Sequence, residues 1–429
     1  MTNDTLPTQL SAQSEQLIQL EEKYGAHNYH PLPVVLDRGE GIYLYDVDGK
    51  KYFDFLSSYS AVNQGHCHPK IHEAMTRQSG KLTLTSRAFY NNLLGECEAY
   101  LSKLFGFDKV LMMNSGAEAV ETAMKLVRKW AYIVKGTPTD KAVILFAKQN
   151  FHGRTISIVS ASTDPSSRVG FGPMMPGIAW VNYNDLEDLE KTLKNNPNIA
   201  AFIVEPIQGE AGVIVPSENY LTGVATLCKK YQVLFVADEI QTGMGRTGKL
   251  LATCGNCDCP KDCNAHSPSK PDMLILGKAI SGGFMPVSAV LANDDVMLTI
   301  KPGEHGSTFG GSPLACAVTM EAVRVLLDEN MPENAHKMGE IFREGLRKIA
   351  SRNPLIKEVR GKGLLNAIEI NSAEDSDLGW QICLTFRDNG LLAKPTHGNK
   401  IRLAPPLVIR ENEINEALTI IEKSLAEYI

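Results

Sequence analysis

Short runs of apolar, mostly β-branched residues alternate with amphipathic stretches through the middle of this chain. Four such runs lie at 141–148, 200–205, 233–238 and 273–277. Runs of this length, apolar throughout, are typical of strands that are buried on both faces. Because consecutive parallel strands need a long crossover, usually a helix, the alternation predicts a mostly parallel central sheet with helices on both faces.

The stretches between these runs carry helix signals. In 217–231, Leu221, Val224 and Leu227 recur on one helical face, and Ser217 is placed to cap the helix. Asn184 or Asp185 is placed to cap an earlier helix over 185–196. The sequence therefore predicts strand, helix, strand in succession, which is the pattern of an α/β fold.

Beyond Gly311 the pattern changes to longer helices, at 332–350 and 411–427, with fewer strands. A chain of 429 residues is also long for one domain. We therefore expect two lobes. The predicted division is a large domain at 61–311, a smaller α+β domain at 312–429, and a segment at 1–60 that packs with the small domain.

Charge and hydropathy exclude several classes of protein. The net charge is −6 and no block of Lys or Arg occurs, so no nucleic-acid partner is expected. No run of 18 apolar residues is present, so no membrane span is expected. The first 22 residues contain four acidic residues and no Lys or Arg, unlike a basic import presequence or a secretory signal. We therefore expect a cytoplasmic protein.

Two residues at predicted strand ends could act together. Lys278 follows the run 273–277, and Asp238 ends the run 233–238. Open α/β sheets bind ligands at the carboxyl ends of their strands, where a desolvated lysine becomes a nucleophile. A buried carboxylate there needs a cationic partner, such as the protonated nitrogen of a heterocycle. The alternatives are a solvated lysine and an aspartate that caps a helix.

A third feature is the start of a helix at 114–119. Gly116 and Ala117 fall in its first turn, and the apolar positions Val120, Met124 and Val127 follow at helical spacing. Free N–H groups in a first turn favour an anion such as a phosphate. Small residues at helix starts are common, so this feature gains weight only beside the lysine and the aspartate.

Several segments together resemble class III, fold type I pyridoxal phosphate aminotransferases. They are 114–119, 150–155, 205–212, 237–248 and 277–283. Further segments are similar to those family members that act on ornithine: 28–33, 55–71, 81–92, 301–311, 360–370 and 402–409. The resemblance covers the chain from about residue 25 to the end. It implies a large domain with a mostly parallel sheet flanked by helices, and a smaller α+β domain.

The resemblance also implies the reaction. L-Ornithine would give its δ-amino group, leaving glutamate-5-semialdehyde, which cyclises to pyrroline-5-carboxylate. 2-Oxoglutarate would then accept the amine and leave as glutamate, in a ping-pong sequence. Roles in arginine catabolism and proline biosynthesis would follow. The implied assembly is a homodimer with shared active sites, or a higher oligomer.

The cofactor-binding roles follow from matching positions. Lys278 would bind pyridoxal 5′-phosphate and move the proton during transfer, and Asp238 would pair with the ring nitrogen. Gln241 would hydrogen-bond the phenolic oxygen, and Phe151 would stack on the ring. Gly116 and Ala117 would hold the phosphate, joined by Thr308 from the neighbouring subunit.

The substrate roles follow in the same way. Arg154 would bind the α-carboxylate of ornithine and later the distal carboxylate of glutamate, because its planar fork takes a carboxylate bidentately. Arg402 would be the general α-carboxylate receptor, and Glu210 would pair with it while ornithine is bound. Tyr29 would contact the α-amine of ornithine, and Tyr59 would shape the pocket. Exposed ion pairs and core tyrosines are the structural alternatives.

Other functions remain open at this point. An aminotransferase of the same class acting on acetylornithine, 4-aminobutyrate or lysine would keep Lys278, Asp238 and Arg154. It need not keep Tyr29, Tyr59 and Glu210 together. The paired arginines argue against a pyridoxal phosphate decarboxylase or racemase, and a binding protein with an inactive site is disfavoured because no proposed catalytic position is substituted.

One segment departs from the family pattern. Cys254, Cys257, Cys259 and Cys263 are crowded together, with His266 close behind. C-x-x-C is a metal-ligand spacing, so four thiolates could bind zinc, but the same thiols could form a disulfide or act as a redox site. A solvated loop with free thiols is the third interpretation.

Overall fold

The computed structural model describes residues 10–254 and 267–428. Its strands are β1 (Leu36–Glu40), β2 (Tyr43–Asp46), β3 (Lys51–Asp54), β4 (Lys109–Met113), β5 (Val143–Ala147), β6 (Ile178–Val181), β7 (Ile199–Val204), β8 (Leu234–Asp238), β9 (Met273–Leu276), β10 (Ser288–Ala292), β11 (Ile356–Lys362), β12 (Leu365–Ile370), β13 (Leu391–Leu392), β14 (Lys394–Thr396) and β15 (Lys400–Leu403).

The α-helices are α1 (Ala12–Tyr24), α2 (Ser57–Ser60), α3 (Pro69–Ser79), α4 (Leu94–Phe105), α5 (Gly116–Trp130), α6 (Ile156–Val159), α7 (Leu186–Asn195), α8 (Tyr220–Lys230), α9 (Asp294–Met297), α10 (Pro313–Asp328), α11 (Met331–Ala350), α12 (Leu378–Asp388) and α13 (Glu411–Leu425). Shorter turns of other helix types lie at Ala131–Lys135, Pro165–Ser167, Ala252–Cys254, Lys278–Ser281 and Ala426–Tyr428.

A seven-stranded sheet in the order β4-β10-β9-β8-β7-β5-β6 forms the centre of the molecule. Strands β9, β8, β7, β5 and β6 run parallel, and β10 is antiparallel to both of its neighbours. The four apolar runs predicted as strands form β5, β7, β8 and β9, and every residue of β7, β8 and β9 is buried. The prediction of an α/β fold with a mostly parallel central sheet is confirmed.

One of the two predicted helix caps is wrong. Asp185 does cap α7, because its Oδ1 accepts the N–H of Asp188 at 2.9 Å. Ser217 does not cap α8, which begins at Tyr220. The N–H and the hydroxyl of Ser217 both donate to Oδ1 of Asn184, at 3.0 and 2.8 Å. Ser217 therefore binds a residue distant in sequence and does not bind the start of α8.

Two four-stranded sheets accompany the central one. The first has the order β1-β2-β3-β13, in which β13 from the C-terminal part pairs in parallel with β3. The second, antiparallel throughout, has the order β11-β12-β15-β14. Main-chain hydrogen bonds therefore join the N-terminal strands to the C-terminal part of the chain. The division at residues 60 and 311 stays a prediction.

The parallel strands all end at one edge of the central sheet. Asp238 is the last residue of β8, Glu205 follows β7, and Lys278 comes two residues after β9. The carboxyl edge of such a sheet is where ligands bind in open α/β folds. Among the helices described, none is long and apolar enough to cross a lipid bilayer.

Candidate active site

A cavity of about 200 Å³ lies at this carboxyl edge. The residues that line it include seven of the predicted site residues: Gly116, Ala117, Phe151, Glu210, Asp238, Gln241 and Lys278. They lie at the start of α5 and at or after the ends of four strands, β5, β7, β8 and β9. The structure thus brings an amine and a carboxylate, 40 positions apart in the chain, to the wall of a single cavity.

Lys278 adopts a left-handed backbone conformation, with φ of 47°, at the turn that follows β9. None of the described residues accepts a hydrogen bond from its Nζ. Burial in the cavity wall, together with the positive charge of Arg402, lowers the pKa of this amine, although Glu210 opposes the change. A lysine with a lowered pKa is a better nucleophile near neutral pH.

Asp238 is buried and both of its carboxylate oxygens have partners. Oδ2 lies 2.6 Å from Nδ1 of His152, and Oδ1 accepts the N–H of Ile240 at 3.1 Å. Burial alone would lower the pKa of His152, but the hydrogen bond and negative charge of Asp238 outweigh it and raise that pKa. The alternative role for Asp238, as the cap of a following helix, is not observed, because turns and no helix follow β8.

Glu205 is a second buried carboxyl group in the cavity wall, and its carboxylate accepts the N–H of Phe151 at 3.1 Å. Burial raises the pKa of Glu205 to about 7, with a contribution from Asp238 that His152 partly offsets. This acid can therefore carry a proton near neutral pH.

The start of α5 provides an anion-binding site. Ser115 and Glu118 form a capping box: the hydroxyl accepts the N–H of Glu118 at 3.2 Å, and the carboxylate accepts the N–H of Ser115 at 2.7 Å. Gly116 and Ala117 occupy the first two positions of the helix and line the cavity. N–H groups at such positions have no partner within the helix, so they and the helix dipole favour a phosphate.

Glu210 connects the cavity to a cluster of three other predicted residues. Its Oε1 accepts from Nη1 of Arg402 at 2.6 Å and from Nε2 of Gln241 at 3.0 Å. The guanidinium of Arg402 lies 4.8 Å from the ring centroid of Tyr59. Burial alone would raise the pKa of Glu210, but the charges of Arg402 and Lys278 lower it to about 2. Arg402 is therefore masked by an ionised acid.

The lining of the cavity does not include three further predicted residues, Arg154, Tyr29 and Thr308. The guanidinium of Arg154 is 5.5 Å from the ring centroid of Phe151, and its Nη1 donates to Ser167 at 3.2 Å. Tyr29 is 72% exposed. Thr308 is exposed, next to a serine that binds the side chain of Asn114 at 2.7 Å. The described chain alone therefore does not enclose Arg154, Tyr29 or Thr308 in the cavity.

The cysteine cluster is described only at its first member. Cys254 is buried and disulfide-bonded. Cys257, Cys259, Cys263 and His266 lie outside the described residues. The described residues contain no group of three or more His, Cys, Asp and Glu side chains that could hold a metal ion. The disulfide excludes a free thiol or a zinc-bound thiolate at Cys254 and agrees with the disulfide interpretation there. For the other three cysteines the zinc, redox and free-thiol interpretations stay predictions.

Sequence reasoning missed two titratable residues of the cavity wall, His152 and Glu205. Glu205 directly follows a fully buried strand, and this was the signal that identified Asp238. His152 offered no comparable signal, because its pairing with Asp238 joins positions 86 residues apart.

Comparison with known proteins agrees with this geometry. The family profile "Aminotransferase class-III" matches residues 24–425. The chain is 60% identical to "Ornithine aminotransferase, mitochondrial" of Rattus norvegicus, over 97% of this chain and 91% of the rat protein.

Two solved structures are also similar. The acetylornithine aminotransferase from Elizabethkingia anophelis is 57% identical with a TM-score of 0.86, covering 96% of this chain and 99% of that one. The ornithine aminotransferase from Toxoplasma gondii ME49 is 44% identical with a TM-score of 0.92, covering 98% of this chain and 96% of that one.

Proposed function

The chain belongs to the class-III aminotransferase family, and on this basis we propose that its cavity transfers the δ-amino group of L-ornithine to 2-oxoglutarate. The products are glutamate-5-semialdehyde, which cyclises to pyrroline-5-carboxylate, and glutamate. The observation that carries the proposal is the Glu210–Arg402 ion pair beside Lys278, because it masks an α-carboxylate receptor while a different amine reacts.

The cavity residues fit pyridoxal 5′-phosphate, the cofactor of this family. The start of α5 suits the phosphate, and the buried Oε1 of Gln241 has no partner among the described residues and is free to accept from a bound group. When bound, the cofactor supplies a protonated ring that withdraws electrons from the reacting carbon. Asp238 would hold that ring proton, His152 would orient Asp238, and Phe151 would stack on the ring.

Lys278 binds the cofactor and moves the proton at the reacting carbon. Its lowered pKa and its Nζ, which no described residue engages, support this role. Arg154 binds the α-carboxylate of ornithine and then the distal carboxylate of glutamate. Tyr29 contacts the α-amine of ornithine, and Tyr59 supports Arg402 from its ring face.

In the first half-reaction Glu210 pairs with Arg402, so the apolar chain of ornithine meets no uncompensated charge. In the second, the α-carboxylate of glutamate takes the place of Glu210 on Arg402. The two carboxylates compete for one guanidinium, which lets a single site accept a δ-amine and an α-amine in turn.

A homodimer completes the site in this proposal. Thr308 of one subunit reaches the phosphate bound by the other. Large apolar side chains are exposed on the two adjoining segments at 83–94 and 307–314, namely Phe89, Tyr90 and Phe309. Exposed apolar patches of this kind mark association surfaces. Sedimentation analysis of the purified protein tests the assembly.

A cytoplasmic location also remains a proposal. The name of the rat relative contains the word "mitochondrial", so the compartment needs its own measurement. Fractionation of cells that express the chain at its natural level would decide between the two.

The decisive experiment is a visible absorption spectrum of the cofactor-loaded protein before and after addition of ornithine. We expect ornithine alone to change the spectrum and 2-oxoglutarate to restore it. Lys278→Ala should abolish both the initial lysine-bound absorbance and turnover, and retained turnover would refute the role of Lys278.

Acetylornithine is the second candidate substrate, favoured by the similarity to the Elizabethkingia anophelis enzyme. Acetylornithine presents the same δ-amine but no free α-amine for Tyr29. Parallel assays of ornithine, acetylornithine, 4-aminobutyrate and lysine would rank them, and a higher kcat/KM for acetylornithine would replace ornithine as the substrate.

A further inference from the structure

The loop that carries Glu210 is closed at its base. Gln208 and Ile214 form an isolated antiparallel bridge, with N–H to O distances of 3.2 and 2.9 Å. We call residues 208–214 the Glu210 loop. The bridge fixes the two ends of the loop, and within it the N–H groups of Gly212 and Val213 both donate to the carbonyl oxygen of Gly209 at 3.2 Å.

Two side chains of the β11-β12-β15-β14 sheet donate hydrogen bonds to the main chain of this loop. Thr396 Oγ1 donates to the carbonyl oxygen of Glu210 at 2.6 Å, and Arg360 Nε donates to that of Gly212 at 2.8 Å. Thr396 belongs to one edge strand, β14, and Arg360 to the other, β11. Arg402 lies between them on β15, so one sheet holds the loop at two points and also presents the partner of the Glu210 carboxylate.

The loop also lies in close contact with the sheet. Gly212 has φ of +103°, and a Cβ built on it would come within 2.5 Å of Cδ of Lys400. Lys400 is itself buried and bonded to Glu374 and Asn399. Little space therefore separates the loop from the sheet at Gly212, and the two hydrogen bonds oppose movement away from the sheet.

We propose that Thr396 and Arg360 are positioning residues that hold the main chain of the Glu210 loop, so that the exchange of carboxylates on Arg402 is a rotation of the Glu210 side chain alone. This inference rests on the proposed function. Its consequence is that Thr396 and Arg360, which do not line the cavity, set the preference for ornithine over an α-amino substrate.

The test compares cofactor-loaded wild type with Thr396→Val, Thr396→Ser, Arg360→Lys and the control Thr226→Val. The control removes a similar hydroxyl-to-carbonyl bond, from Thr226 to Thr222 at 2.8 Å, on the exposed face of α8. The measured quantity is the ratio of kcat/KM for ornithine to kcat/KM for glutamate, since each constant reports one half-reaction of a ping-pong enzyme.

We expect Thr396→Val and Arg360→Lys to lower this ratio by about threefold to tenfold, the value of one hydrogen bond, with Thr396→Ser and Thr226→Val within about twofold of wild type. A purely structural role would lower both constants together and leave the ratio unchanged, and that result would overturn the inference.

Arg360→Lys keeps the positive charge that faces Glu358 and Glu369. If Thr396→Val does not fold, the substrate ratio of Arg360→Lys alone tests the inference. A wild-type enzyme that transfers no amine from ornithine would overturn the proposed function and this inference with it. A wild type that is active on ornithine, beside a Thr396→Val variant of unchanged ratio, overturns the inference alone.

Discussion

Nδ1 of His152 lies 2.6 Å from Oδ2 of Asp238, and both of these buried side chains belong to the cavity wall. The carboxylate can only accept, so the ring donates. With Ile240 bound to the other oxygen, Asp238 has one orientation available. A group that must hold a proton at one place benefits from being oriented before the ligand arrives.

His152→Ala should therefore impair the enzyme without touching any substrate-binding residue. The buried carboxylate of Asp238 would lose its hydrogen-bond donor, and we expect kcat to fall by about 10-fold to 100-fold, the free energy of a hydrogen bond to a charged group. His152→Asn keeps an N–H near the position of Nδ1 and should retain more activity than the alanine variant. Cofactor affinity and kcat measured on both variants check this, and equal loss in the two would argue against orientation.

Glu210→Ala should expose Arg402 and change the substrate preference. The low pKa of Glu210, about 2, means that the acid masks Arg402 at every pH above its ordinary value of 4.5. We expect the ratio of kcat/KM for ornithine to that for glutamate to fall at least about tenfold, because the variant leaves a buried guanidinium unpaired when ornithine binds. Glu218→Ala, at an exposed position outside the site, is the control, and an unchanged ratio in Glu210→Ala would rule out the masking role.

The stabilising effect of Glu210 has a defined pH range. Because the pKa is lower in the folded protein, the contribution is present above pH 4.5 and is lost as the pH falls toward 2. Ornithine preference should consequently show no transition from Glu210 between pH 6 and 9. The pH dependence of kcat/KM for ornithine and for glutamate, measured from pH 6 to pH 9, checks this expectation.

Glu205 should make the cofactor-free protein less stable as the pH rises. Its pKa is about 7 in the folded protein and ordinarily 4.5, so the folded state holds a proton that the unfolded chain has lost between those values. Stability falls with pH wherever the folded state binds more protons. Glu205→Gln should remove this loss, which we expect to be on the order of 1–3 kcal/mol between pH 4.5 and 7.

The measurement is denaturant unfolding of cofactor-free wild type and Glu205→Gln at pH 5 and pH 8. Glu187→Gln, on an exposed surface, is the matched control and should follow the wild type. If the free energy of unfolding changes equally between pH 5 and pH 8 in wild type and in Glu205→Gln, Glu205 does not titrate in this range.

Gly209 should be intolerant of any side chain because of Gln241. A Cβ at position 209 would lie 1.4 Å from Oε1 of Gln241, so the amide that donates to Glu210 would have to move. We expect Gly209→Ala to lower kcat/KM for both substrates by about tenfold or more, as displaced polar groups at a site cost 1–3 kcal/mol. Gly95→Ala, where a Cβ meets nothing within 4 Å, is the control.

A double-mutant cycle isolates the cause. In a Gln241→Ala background there is no amide to displace, so Gly209→Ala should cost little further activity. If the activity losses of the two single variants add in the double variant, the effect of Gly209→Ala does not act through Gln241.

The local sequence pattern was sufficient to predict four central strands and two residues of the site. Runs of apolar residues predicted β5, β7, β8 and β9, and the ends of two of these runs indicated Asp238 and Lys278. Burial on both faces excludes polar residues from such strands, so a charged residue at the strand end is visible in the sequence itself. The proposed substrate-binding residues Arg154, Glu210 and Arg402 were predicted only from the resemblance to a family.

The tertiary structure decided which side chains meet. At 57–60 four consecutive residues without a glycine have positive φ, from 47° to 72°, and this places Tyr59 against Arg402. Asp54 accepts two N–H groups at the start of this turn, so partners outside it stabilise a backbone that its own residues disfavour. The pairs His152–Asp238 and Thr396–Glu210 likewise join distant segments. Hydrophobic burial repeats along the chain with the period of each element and can be read locally, whereas a hydrogen bond depends on two positions that only the folded chain brings within 3 Å.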